Sequence, residues 1–170
     1  MKKISLLFTM FVCALLLTAC KDAEPLIRVE ATFSPVTDEQ YRKIGATKDL
    51  IDPKPEDFIF YEFNLYMKHH DSVKDRKIEM YNYGDLIEAL NDIDGFSRYW
   101  TGGGSSRDNE SENFAEYYHE FKFYKKGLSE DKIRNAFKNE KIIVSWKNSK
   151  NEQFKKEFNL FDLLQFSSNN

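Results

Sequence analysis

Cysteine is almost missing from this chain. There are two, Cys13 and Cys20, and both lie in the first 20 residues. From residue 21 onward no disulfide, thiol nucleophile or cysteine metal site is possible. Basic residues are short as well, 25 against 28 acids for a net charge of −3, which argues against nucleic-acid binding and against a polybasic membrane patch. After residue 20 no apolar run approaches the about 18 residues that a membrane-crossing helix needs. The signature motifs of chemistry are absent too. Gly102-Gly103-Gly104-Ser105-Ser106 lacks the lysine of a phosphate-cradling loop, and there is no G-x-S-x-G elbow or H-E-x-x-H helix. Histidine is rare, and His69-His70-Asp71 is the one cluster. Adjacent strand residues point to opposite faces, so this cluster reads as a solvated turn, with His119 too distant to complete a metal motif. No cofactor is expected, and no catalytic residue stands out among the abundant Asp and Glu.

What is present begins at the N-terminus. Met1-Lys2-Lys3 is a short positive start, and Ile4 to Leu17 is apolar except for Ser5 and Thr9. Two small residues, Thr18 and Ala19, then precede Cys20. Charged, apolar and small in that order is the layout of a secretory signal peptide. Leu17-Thr18-Ala19-Cys20 resembles the lipobox of bacterial lipoprotein precursors. That resemblance covers residues 1–20. It implies a diacylglyceryl group on the Cys20 sulfur, cleavage between Ala19 and Cys20, and frequently a further acyl chain on the new amino group. One acyl chain holds a protein only marginally at about 0.8 kcal/mol per buried CH₂, whereas two or three form a stable anchor. The expected organisation is a signal peptide over 1–19, a lipidated anchor and tether over 20–26, and a single globular domain over 27–166. Losing residues 1–19 removes two lysines and no acid, so 23 basic residues face 28 acids and the net charge becomes −5.

The remaining chain is rich in Phe (15) and Tyr (9), residues that favour strands. Residues 27–33 alternate apolar and polar, as a half-buried strand does. Phe58–Lys68 is the strongest strand. Ile59, Tyr61, Phe63, Leu65 and Met67 share its core face; the opposite face is aromatic at Phe58 and Phe60 and polar later, so it is expected to be covered only in part. Lys77–Tyr83 is expected to return from it as a hairpin. Leu86, Ile87, Leu90 and Ile93 have helical spacing. Residues 96–100 read as a short strand, and Thr101–Asn113, rich in Gly, Ser and mixed charge, as a mobile loop dispensable for folding. A strand over 116–125, a helix capped by Ser129 and a hairpin of 141–146 with 153–160 complete the chain. Asn82-Tyr83-Gly84-Asp85-Leu86-Ile87 is echoed by Asn159-Leu160-Phe161-Asp162-Leu163-Leu164.

The fold class expected from this pattern is α+β, mainly β: an antiparallel sheet or sandwich-like domain with a few short helices. The expected function is a lipoprotein anchored at the extracytoplasmic face of the cell membrane through Cys20, acting as a binding or interaction module for a protein, peptide or glycan. Tyr81, Tyr83, Tyr99, Trp100, Tyr117 and Tyr118 are candidates for an aromatic platform. A small extracytoplasmic enzyme using carboxylate or serine chemistry is the alternative.

Overall fold

The computed structural model describes residues 24–45 and 50–167. The signal peptide, Cys20 and most of the tether lie outside the described residues. Among the described residues eight strands form two sheets: β1 (Leu26–Pro35), β2 (Phe58–Lys68), β3 (Lys74–Glu79), β4 (Tyr99–Arg107), β5 (Phe114–Tyr124), β6 (Lys141–Lys147), β7 (Gln153–Asn159) and β8 (Leu164–Phe166). One sheet has the order β4-β5-β2-β1-β8 and the other β3-β6-β7. Pairing is antiparallel except between β1 and β8. The helices are α1 (Asp38–Arg42), α2 (Tyr83–Asn91), α3 (Glu130–Ala136) and α4 (Leu160–Leu163). The fold is thus a β-rich α+β arrangement, as the sequence pattern predicts.

The helix starts are chemically explicit. Thr37 and Gln40 exchange side-chain bonds with each other's backbone N–H at 3.1 and 2.8 Å, a capping box for α1. Ser129 accepts from the Lys132 N–H at the start of α3. The two echoed segments behave alike. Asn82 accepts from the Gly84 and Asp85 amides and Asn159 from the Phe161 amide, so each asparagine caps the helix that follows a strand.

The two sheets share one core. Phe33, Ile59, Tyr61, Phe63, Leu65, Met67, Phe121 and Phe123 from the larger sheet join one cluster with Ile142, Val144 and Trp146 from the smaller, Leu86 and Leu90 of α2, Ile133 of α3 and Phe137 just after it. Phe63 is fully buried and stands edge-on to Tyr81 at 5.4 Å. The far side of β2 behaves as its composition predicts. Phe58, Phe60 and Tyr124 are buried under Val36, Ile44 and Leu50 with Tyr41 and Trp100, so the segment after β1 covers one end of that face; the remainder is left uncovered.

Two expectations are corrected. Strand β2 does not form a hairpin with the strand after it. Its neighbours are β1 and β5, which match its eleven residues almost end to end, while β3 pairs with β6 in the other sheet. β2 has apolar residues on both faces and needs cover from both sides; the six mostly charged residues of β3 offer little to bury. β3 also ends at Glu79, leaving Tyr81 outside it and Tyr83 at the start of α2. Second, Thr101–Asn113 is not a loop throughout. Thr101 to Arg107 is most of the nine-residue β4, paired with β5. Its glycines alternate with a purpose. A Cβ on Gly104 would sit 2.5 Å from the His119 ring and 2.7 Å from the Tyr118 carbonyl. One on Gly102 would sit 2.6 Å from the Phe121 Cβ and 2.7 Å from the Tyr83 hydroxyl. One on Gly103 would meet nothing. Glycine is required at 102 and 104 because aromatic residues from β5 and α2 occupy the inner side of the strand.

Candidate functional site: the open face of the five-stranded sheet

Because cross-strand partners share a face, the register defines the uncovered surface row by row. One row runs Thr32, Glu62, Glu120, Gly103; the next Glu30, Asn64, Tyr118, Ser105; the next Arg28, Tyr66, Glu116, Arg107. Glu62 and Glu120 therefore stand directly opposite each other, an arrangement that destabilises a sheet. Neither is in an ion pair with a described residue, and neither is Glu30. Asn64 donates to Glu62 at 2.9 Å, and the Tyr118 hydroxyl donates to Glu120. Burial, reinforced by that carboxylate, pushes the Tyr118 hydroxyl above its ordinary pKa, so it remains a donor. A cleft of about 340 Å³ lies over this surface between Asn64, Tyr66, Ser105, Arg107, Glu116 and Tyr118. Its tools are recognition tools: phenols, an amide, hydroxyls, the Glu116 carboxylate and the Arg107 guanidinium.

The proposed aromatic platform is not one surface. Of its six residues, only Tyr118 stands in the outward rows, although Tyr117 also lines the cleft. Tyr81 is buried, Tyr83 and Tyr99 pack on Phe121 from the core side, and Tyr117 donates to Asp108 on that side too. Trp100 belongs to the small outer cluster and donates to the Gly45 carbonyl at 2.8 Å. Tyr66 joins Tyr118 instead, a residue whose parity with Glu62 and Asn64 was visible in β2 but whose cross-strand neighbours were not.

The histidines separate in the same way. His119 is turned inward, its Nδ1 in a 2.8 Å hydrogen bond with the Tyr81 hydroxyl, and burial lowers its pKa. The neighbouring Tyr61 hydroxyl is buried without a partner in bonding geometry. No carboxylate bonds to His119 among the described residues, so no serine–histidine–acid relay is assembled around it. His69 is half-buried rather than free in a solvated turn: its Nε2 meets Arg76 at 2.8 Å. His70 is exposed. Among the described residues no three His, Cys, Asp or Glu are grouped to hold a metal.

Two buried arginines carried no sequence signal. Arg76 bonds His69, Asp108 and the carbonyls of Asn109 and Glu112, tying β3 of one sheet to the β4–β5 connection of the other. Arg98 bonds Asp94 and the carbonyls of Tyr124 and Lys126. It forms the floor of an open cleft of about 620 Å³ with Leu50, Ile51 and Phe96. The Arg98 guanidinium and both terminal nitrogens of Arg76 are engaged in structural bonds, while the buried Arg76 Nε has no hydrogen-bond partner among the described residues.

No protein family matches this chain, no curated protein matches it in sequence, and no solved structure matches it in fold.

Proposed function

We propose that this protein is a lipoprotein anchored through Cys20 at the extracytoplasmic face of a bacterial cell membrane, presenting the open face of its five-stranded sheet to a protein, peptide or glycan partner. The anchoring half rests on residues 1–20, where a positive start, an apolar run and Leu17-Thr18-Ala19-Cys20 follow one another. No helix among the described residues is long and apolar enough to cross a membrane, and a lipid on Cys20 makes none necessary. The tether bounds the geometry. Leu26 opens β1 six residues after Cys20, a reach of at most about 20 Å. The end of the sheet where Leu26, Lys68 and Phe114 align is then the membrane-proximal end, and His69 and His70 lie there. The covered end, with Phe58 and Tyr124, lies a strand length of about 30 Å farther out.

The observation that carries the binding half is the opposition of Glu62 and Glu120 in an uncovered row. A sheet selected for stability alone has no reason to hold two like charges across a strand pair with no cation beside them among the described residues, whereas a ligand bearing positive charge relieves them. Net charge and this face together argue against nucleic acid as the partner. The test is fractionation of cells producing the wild type or Cys20→Ser. The wild type is expected in the membrane fraction at mature size. The variant is expected either released or unprocessed; a variant still membrane-bound at the mature size would remove the anchoring reading.

A further inference from the structure

Among the described residues the two sheets leave four strand edges, and three are protected in the usual ways. β8 has three residues. β7 carries Lys155, Lys156 and Glu157. β3 is short, charged and irregular in register between Lys74 and Lys77. The fourth, β4, is nine residues long, every residue from Thr101 to Arg107 is exposed, and its only charge is Arg107 at the end. It has no proline, and its one irregularity lies before Thr101. Among the described residues nothing pairs with its outer side. The outer row of the sheet adds a second, independent feature. Gly103 lies opposite Glu120, with Glu62 behind, and the space above Gly103 is empty. The missing side chain leaves a lane from the strand edge to two carboxylates that have no ion-pair partner among the described residues.

We propose that β4 receives an extended segment of a partner polypeptide as an added strand, and that the segment carries a lysine or arginine facing the Gly103 lane. Main-chain hydrogen bonds to the free edge supply binding, and the outward side chains supply selection. An added strand lies one spacing of about 4.8 Å beyond β4, so Glu120 is two spacings away. A basic side chain crossing over Gly103 and a glutamate leaning toward it close that gap; an acidic side chain in the lane is repelled. Ser105, the next outward position, is also small and leaves room for a second side chain beside Tyr118. This inference names the partner class of the binding module proposed above and rests on that reading, but it does not depend on the lipid.

The experiment uses the protein purified in mild detergent and three fluorescent nonapeptides: alternating Lys and Val, alternating Glu and Val, and the Lys–Val peptide N-methylated at alternate residues. Anisotropy is expected to show binding of the Lys–Val peptide and at least tenfold weaker binding of the other two. Hydrogen exchange is expected to slow within residues 99–107 on binding. Gly103→Lys, which has room for its side chain, is expected to weaken binding at least tenfold with an unchanged circular dichroism spectrum, and Glu120→Gln severalfold. Equal binding of all three peptides, or binding without protection of 99–107, overturns the proposal. So does no binding at all; normal fractionation of the wild type and Cys20→Ser would then leave the anchored module standing without this partner. A concentration-dependent dimer that protects 99–107 without peptide overturns it in favour of a second copy of the chain.

Discussion

Replacing the three consecutive glycines of β4 with alanine, one at a time, separates a strand from a loop at the point where sequence and structure diverge. At Gly104 the new methyl would lie 2.5 Å from the His119 ring and 2.7 Å from the Tyr118 carbonyl; at Gly102 it would lie 2.6 Å from the Phe121 Cβ. Backbone and ring must move apart, and such overpacking costs about 1–3 kcal/mol. At Gly103 the methyl enters open space and φ is not in the left-handed region. Alanine there restricts the unfolded chain and is expected to stabilise by about 0.4–1 kcal/mol. The predicted order is therefore Gly103→Ala above wild type, with Gly102→Ala and Gly104→Ala below it, and a gap of roughly 2–3 kcal/mol between the middle and flanking positions. Urea unfolding resolves this. With a slope of about 1–3 kcal/mol per molar for a protein of this size, the midpoints differ by about 1 M. Three midpoints within experimental error of one another would refute the pairing of β4 with β5 and restore a flexible loop.

Phe63→Ala is expected to lower stability by about 3–5 kcal/mol, since its ring is wholly enclosed, out of a total of about 5–15 kcal/mol; a loss under about 1 kcal/mol would mean that the inward face of β2 is wrongly assigned. In the same unfolding assay His69→Ala should cost about 1–2 kcal/mol through its lost bond to buried Arg76, while His70→Ala changes little; equal effects would contradict the different settings of the two rings. The half-buried His119 binds a proton less readily folded than unfolded. Its contribution to stability is full above about pH 6.5, the unfolded value, and is lost as pH falls below it. His119→Gln should flatten the fall in unfolding midpoint below about pH 6.5, and an unaltered profile would refute that assignment.

The elements that sequence places well are those with strong local chemistry. Phe58–Lys68 has the predicted bounds because its two-residue alternation spans eleven positions, and Ser129 caps α3 because hydroxyl and acidic first turn coincide. The final hairpin is legible because a polar turn separates the apolar strand β6 from a segment with aromatic residues at Phe154 and Phe158. Pairing between distant segments is not legible. Nothing in the residues of β2 says that its partners are β1 and β5, and so the opposition of Glu62 to Glu120, which defines the candidate site, cannot be seen before the register is known. The glycines of β4 mislead for a related reason. Local composition marks a loop, and only the close approach of the β5 backbone, Phe121 and His119, with Tyr83 from α2, explains why glycine is required. Arg76 and Arg98 escape notice because an arginine engaged by backbone carbonyls looks, in sequence, like any exposed cation.

The measurement that bears most directly on the lipid anchor is the intact mass of the protein extracted from membranes. A chain beginning at Cys20 and heavier than its polypeptide by a diacylglyceryl group, with or without a further acyl chain, is the predicted result. A chain that retains residues 1–19, or one that begins at or after Cys20 without lipid, would contradict the membrane-anchored reading.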